Sequence, residues 1–243
     1  MTPDVSKQVL KFWGVKFVVP GSGKSAKTGR QSFPRLTRKE KIQYLADLDA
    51  EMHKNERCGL KAGCTNMVFG EGDPGAEIMF VGEAPGFEED QQGRPFVGRA
   101  GQLLNDIITK GMGLKREQVY IGNVIKCRPP QNRTPTPEEV FACVPYLIRQ
   151  LQIIHPKVIV GLGASAVRAL IPDAEGTISR IRGHFFEYHL DGPGTDTGET
   201  IQIMPTFHPA YLLRNPAEKA KVWDDIKKVM AFLNIPIPIK KNA

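Results

Sequence analysis

From residue 77 to residue 206 the chain alternates short apolar runs with stretches of helical periodicity. EIMFVG (77–82), VYIGNVIK (119–126) and KVIVGLG (157–163) are almost uninterrupted apolar runs beside glycines. That pattern predicts strands buried on both faces. HFFEYHL and TIQIMPT read as two further strands joined by the turn-rich DGPGTDTG. RLTRKEKIQYLADLDAEMHK (35–54) spaces Leu and Ile at helical intervals. AGQLLNDIITKGM is a helix stopped at Gly113. Thr136-Pro137-Glu138-Glu139 opens a helix that passes Cys143 and ends near Ile154. Thr caps it, Pro suits the first turn, and the acids favour the positive end of the helix dipole. ASAVRALI, a short turn from Pro209 and AEKAKVWDDIKKVMAFL complete the helices, while EAPGFEED and residues 1–35 are expected to be irregular. Strands alternating with helices predict an α/β fold of three layers, a mostly parallel sheet covered on both faces.

In such sheets chemistry gathers just past the strand ends. The segments at those places are GEAPGFEED, NVIKCRPP, GLGAS and TFHPAYLLRNP. Three of the four set polar or ionisable groups beside Gly or Pro.

Composition adds bounds. The 243 residues are 41% hydrophobic and 24% charged, enough for one large α/β domain or two small ones. No run approaches a membrane span. QVLKFWGVKFVVPG is broken by Lys11 and Lys16 and makes a poor export signal, so a cytoplasmic, reducing location is expected. Four cysteines are too few for a disulfide scaffold at this length. In a reducing interior such thiols are buried, catalytic or metal-bound.

The formal net charge of +7 is unevenly placed: residues 1–57 hold twelve Lys+Arg against six Asp+Glu, and residues 5–39 hold no acid. A basic arm over residues 1–40 attracts polyanions, nucleic acid above all. A disordered soluble leader or an organelle transit peptide are the other readings. PGSGKSAKTG is a linker rather than a phosphate loop, because Val18 stands where that loop needs Gly.

Gly82-Glu83-Ala84-Pro85-Gly86 forces a tight backbone that can bring bare N–H groups against a ligand. Glu83, Glu88, Glu89 and Asp90 crowd it with carboxylates. These suit a group that holds water or faces a developing cation, or simply a solvated acidic turn. Phe96, between Pro95 and Val97, is either core or a stacking plate for a planar base. Asn123 lies inside a strand, where Asn is disfavoured, and its amide can read a base edge. His208 follows a strand and starts a helical turn, as a structural residue or as a donor aimed at a ligand. Cys58 and Cys64 are separated by five residues and Cys127 and Cys143 by fifteen, spacings unlike the tight pairs of structural zinc. Four unrelated buried thiols or an iron–sulfur site remain.

In order along the chain, GEAPGFEED, GRPFVGRAGQLL, NVIKCRPPQNRTPTPEE, Cys143, VGLGASA and HPAYLLRNP resemble the family 4 uracil-DNA glycosylases, the iron–sulfur class of base-excision enzymes. The likeness runs from about Cys58 to Phe232 and implies a four-stranded parallel sheet between helices. It implies a glycosylase domain over 41–235, with the basic arm before it and a flexible tail at 236–243. It implies that Cys58, Cys64, Cys127 and Cys143 bind a [4Fe–4S] cluster, although that family usually has two residues between its first pair of cysteines. The substrate implied is uracil-containing DNA, single- or double-stranded, acted on by a nucleoid-associated monomer with no membrane partner.

By the same likeness Gly82, Ala84, Glu89 and Phe96 bind the base. Asn123 reads its edge, His208 stabilises its departing charge, and Glu83 orients water or faces the sugar cation. Glu89 would fill the space at uracil C5. Leu212 or Leu213 would wedge the duplex and Arg214 hold its backbone. Better-known relatives carry Asp where this chain has Ala84. No Lys-Arg-Arg insert is present, so the abasic product is expected to be released. Two other functions share these features: a glycosylase of the same fold acting on hypoxanthine or xanthine, and a non-catalytic DNA-binding cluster protein.

Overall fold

The computed structural model describes residues 36–54, 58–172, 174–190 and 200–238, together with the backbone of 15–18. Most of the basic arm, the DGPGTDTG turn and the end of the C-terminal tail lie outside the described residues.

Among the described residues seven strands form one sheet: β1 (Val15–Val18), β2 (Glu71–Gly72), β3 (Ile78–Gly82), β4 (Tyr120–Asn123), β5 (Val158–Leu162), β6 (Phe186–Leu190) and β7 (Ile201–Thr206). Their order is β1-β6-β7-β5-β3-β4-β2. The middle four, β7, β5, β3 and β4, are parallel, which is the four-stranded parallel core expected from sequence. Antiparallel strands extend it at both edges. β1 falls within the segment expected to be irregular, and pairs Val15 with Leu190 through Val18 with Glu187.

The helices are α1 (Arg38–Lys54), α2 (Phe87–Gln92), α3 (Arg99–Asp106), α4 (Pro137–Ile154), α5 (Ala164–Leu170), α6 (Ile178–Ile181), α7 (Pro209–Arg214) and α8 (Lys219–Phe232). β3 shows why they form two layers. Met79 and Val81 face one core with Leu45 of α1, Leu147 of α4 and Val167 of α5. Ile78 and Phe80 face the other with Leu104 of α3, Leu212 of α7 and Ile226 of α8. A strand sends alternate side chains to opposite faces, so an apolar run with no polar alternation needs helices on both.

α4 begins as its sequence predicts. Thr136 accepts from the Glu139 N–H, and the Glu139 carboxylate accepts from the Thr136 N–H at 2.8 Å. EAPGFEED is not wholly a loop, since its second half is α2. Glu89 Oε2 accepts from the Gly86 N–H at 3.1 Å, and three acids stand in the first turn. Both effects favour a helix start.

Candidate active site

β3, β4 and β7 end on one edge of the sheet, and their last residues lead straight into a cavity of about 590 Å³. Glu83, Ala84, Glu89, Phe96, Asn123 and His208 all line it. The structure therefore gathers the aromatic plate, the amide and the imidazole singled out from sequence.

Gly82 ends β3 opposite Asn123 of β4. A Cβ on Gly82 would collide with Asn123 Oδ1 and stand 2.6 Å from Phe96 Cζ. Only a bare backbone lets the amide and the ring meet there. Phe96 itself is left-handed, with φ 51. A non-glycine residue in that region persists when its surroundings hold it. Glu89 Oε1 accepts from the N–H groups of Val97 and Gly98 at 2.8 and 2.9 Å. On the other side Arg116 donates to Pro95 O at 2.6 Å and is itself bound by Glu71 at 2.7 Å.

Asn123 is 1% exposed, and its Oδ1 is buried with no hydrogen-bond partner among the described residues. An orphaned buried acceptor costs about 1–3 kcal/mol, which a ligand donor would recover.

His208 caps α7: its Nδ1 accepts from the Ala210 N–H at 3.1 Å. The remaining proton of the neutral ring is therefore on Nε2. Burial, then the nearby Arg214 charge, pushes the His208 pKa down from 6.5 to about 4, so the ring is neutral near pH 7. Its centroid is 5.7 Å from that of Phe96. Gly163 backs it with φ 87, and a Cβ there would press on His208 Cβ at 3.1 Å. The site thus offers one apolar face, one unpaired acceptor and one neutral ring donor. This set suits a flat heterocycle with a polar edge.

A family model described as the uracil DNA glycosylase superfamily matches residues 69–227. The chain belongs to this superfamily. It is similar to the type-4 uracil-DNA glycosylase of Thermotoga maritima, 44% identical over 81% of this chain and 97% of that protein. A type-4 uracil-DNA glycosylase of Archaeoglobus fulgidus is also 44% identical, over 77% of this chain and 92% of its own. Likeness to a type-5 uracil-DNA glycosylase of Pyrobaculum aerophilum is lower, 35% over 58% of this chain and 64% of that protein.

Against this glycosylase frame two sequence expectations change. Leu212 is 1% exposed and packs in the core under α7, so it is no wedge, whereas Leu213 is 37% exposed. Glu89 lines the cavity, but both its oxygens are engaged by backbone N–H groups, of Gly86 on one side and of Val97 and Gly98 on the other. Its carboxylate frames the Phe96 turn rather than reaching out to fill a space beside the base. Sequence reasoning passed over Phe87, Arg99 and Tyr211, which also line the cavity. Their signal was position alone, within motifs noted for other residues.

The four cysteines come from three segments and pack in or against one hydrophobic core. Cys143 Sγ of α4 lies 3.8 Å from Cys58 Sγ. Burial, then contact with Cys64, pushes the Cys127 thiol well above its ordinary value. Contact with Cys58, then burial, does the same to Cys143. GLKAG folds as a tight turn, with the Lys61 N–H on Cys58 O and the Cys64 N–H on Leu60 O at 3.0 and 3.1 Å. Among the described residues no three His, Cys, Asp or Glu side chains converge on a point where one ion would sit. Four thiols stand near one another, three of them buried, and thiolate sulfur is the ligand type that iron–sulfur clusters use.

Proposed function

We propose that the cavity receives a uracil everted from DNA and that Asn123, Phe96, His208 and Glu83 carry its removal. The chain is a DNA-repair glycosylase that hydrolyses the N-glycosidic bond of uracil. The target bond is hidden in a duplex, so the nucleotide must leave the stack at a cost of a few kcal/mol. Leu213 fills the gap and Arg214 grips the backbone phosphate, which offsets that cost.

In the pocket Phe96 stacks on the ring, with the Gly82 and Ala84 backbone beside it. Asn123 Oδ1 accepts from uracil N3–H and its Nδ2 donates to O4. Cytosine presents the opposite pattern, so each mismatched pair costs about 1–3 kcal/mol. As the bond breaks, negative charge grows on the base and positive charge on the sugar. The Nε2–H of His208 donates to O2, and one such donor is worth about 2.7–4 kcal/mol. Glu83 holds the attacking water or faces the sugar cation, and Ala84 leaves no second carboxylate beside it.

Cys58, Cys64, Cys127 and Cys143 would hold a [4Fe–4S] cluster, which supplies a rigid tie between three segments and no redox step. The catalytic domain spans 41–235, the basic arm 1–40 adds charge against DNA, and 236–243 is a tail. Every residue invoked comes from one chain, so a monomer suffices. A cytoplasmic, nucleoid-associated location fits this reading.

The observation that carries it is the orphaned Asn123 Oδ1 inside the cavity. The test is incubation with oligonucleotides bearing one uracil, thymine or hypoxanthine, single- or double-stranded. Alkali-labile abasic sites should form at uracil. Cleavage of the cytosines in the same strands at an equal rate overturns the Asn123 account, and cleavage at hypoxanthine alone reassigns the substrate.

A further inference from the structure

Phe87 is the first residue of α2, at the rim of the cavity, and it is 53% exposed. It belongs to neither of the two core clusters that sandwich the sheet. Its exposed ring stands beside the cavity with a cation against it. Arg128 is that cation: its Cζ stands 5.1 Å from the Phe87 ring centroid, in cation–π contact. The guanidinium is fixed in turn, since Arg128 Nε donates to Asn132 Oδ1 at 2.8 Å. Asn132 has φ 55 and lines the same cavity. The ring is therefore braced by a positioned cation instead of being buried. Arg99 and Arg214 add positive charge to the same rim.

We propose that Phe87, braced by Arg128, is a stacking shelf for the nucleobase adjacent to the everted uracil in the same strand. This rests on the uracil-binding reading of the cavity. A strand that threads its uracil down to Phe96 and Asn123 carries the next base past the rim. In a single strand that base has lost its neighbour and offers a bare π-face. Aromatic side chains accept any base in this way, and a guanidinium nearby holds the strand's charge. The shelf thus serves single strands most, where no complementary strand keeps the flanking base stacked.

The test uses the full-length protein and uracil-containing single strands with 2-aminopurine placed 5′ or 3′ to the uracil. The His208→Ala background prevents turnover during binding. Stacking should quench 2-aminopurine on one flank, and Phe87→Ala should abolish that quench while Phe87→Trp restores it. In the active protein, Phe87→Ala should raise KM on single strands about tenfold with kcat unchanged. Its salt dependence of binding should stay the same, because no charge is lost, whereas Arg128→Gln should reduce that slope by about one phosphate contact. Phe87 is exposed, so its replacement leaves folding intact and the result is interpretable. Quenching equal in Phe87→Ala and the parent overturns the shelf while uracil release by the wild type stands. No uracil release by the wild type overturns the reading beneath it.

Discussion

Gly82 and Asn123 stand opposite one another at the ends of β3 and β4, so close that a Cβ on the first would collide with the side-chain oxygen of the second. The same Cβ would stand 2.6 Å from Phe96 Cζ. One absent methyl therefore sets the positions of both groups proposed to read and stack the base. Gly82→Ala should displace Asn123 and Phe96 by a fraction of an ångström to an ångström. Misplacement on that scale costs about 100-fold in rate. Overpacking should also cost about 1–3 kcal/mol of stability. Uracil-release kinetics and denaturant unfolding measure the two separately. Full activity in this variant would mean that the amide is not held where the base needs it.

His208 lines the cavity with a ring whose Nδ1 caps α7, which leaves its proton on Nε2 as the proposed donor to the base. An Asn side chain can accept at an N-cap but has no donor at the Nε2 position. His208→Asn should therefore keep stability near wild type and lower kcat about 100- to 1,000-fold. His208→Ala should lose both, with about 1 kcal/mol of cap stability gone. DNA affinity should change little in either. Equal kcat losses with wild-type stability in both variants would leave the cap without a role.

The same histidine sets a pH window. Its folded pKa is pushed from 6.5 down to about 4, so between these values the unfolded chain takes up a proton that the folded chain refuses. The unfolded state binds more protons there, and stability rises with pH across the window. The contribution is complete above about pH 6.5 and is lost as pH falls through about 4. Protonation also puts a hydrogen on Nδ1, against the Ala210 N–H, so activity should fall over the low end of the same range. Urea unfolding of wild type and His208→Asn at pH 4.5 and 7 checks the sign: the variant should show a smaller pH dependence.

The parallel core was legible because β3, β4 and β5 are buried on both faces and so read as almost unbroken apolar runs. The start of α4 was legible because Thr136, Pro137 and Glu139 act within one turn. What escaped depends on partners far along the chain. Glu89 is one carboxylate among four in its segment, and nothing local shows that its oxygens meet the N–H groups of residues 97 and 98. Leu212 and Leu213 differ only in the rotation of a six-residue helix against the core, a phase that so short an element does not encode. α2 escaped because its cap is a glycine completed by the Glu89 side chain.

Those adjacent leucines make a paired experiment. Leu212 is 1% exposed within the α3–α7–α8 core, and Leu212→Ala should cost about 2–5 kcal/mol of stability. Leu213→Ala, at an exposed site, should leave stability within about 0.5 kcal/mol. As the wedge, Leu213 should matter where a base must be forced out of a stack. Its removal should lower activity on double strands more than on single strands. Thermal unfolding and uracil release on both substrates, run on both variants, separate packing from wedging. Equal loss on the two substrates in Leu213→Ala would remove the wedge assignment.

The thiols carry the last prediction. Cys58 and Cys64 sit on a loop, Cys127 follows β4 and Cys143 lies in α4, so a cluster on all four would tie three segments together. Protein purified without oxidation should be brown and hold about four irons per chain. Because a bound group that stabilises only the folded state adds its binding free energy to stability, stripping the iron should lower Tm. Cys127→Ser should lose iron and Tm together, while Asn123→Ala, which touches only the base pocket, should retain both and lose turnover. A colourless protein with stoichiometric zinc would overturn the cluster. So would a Cys127→Ser variant whose Tm matches wild type, since burial alone would then account for the four cysteines.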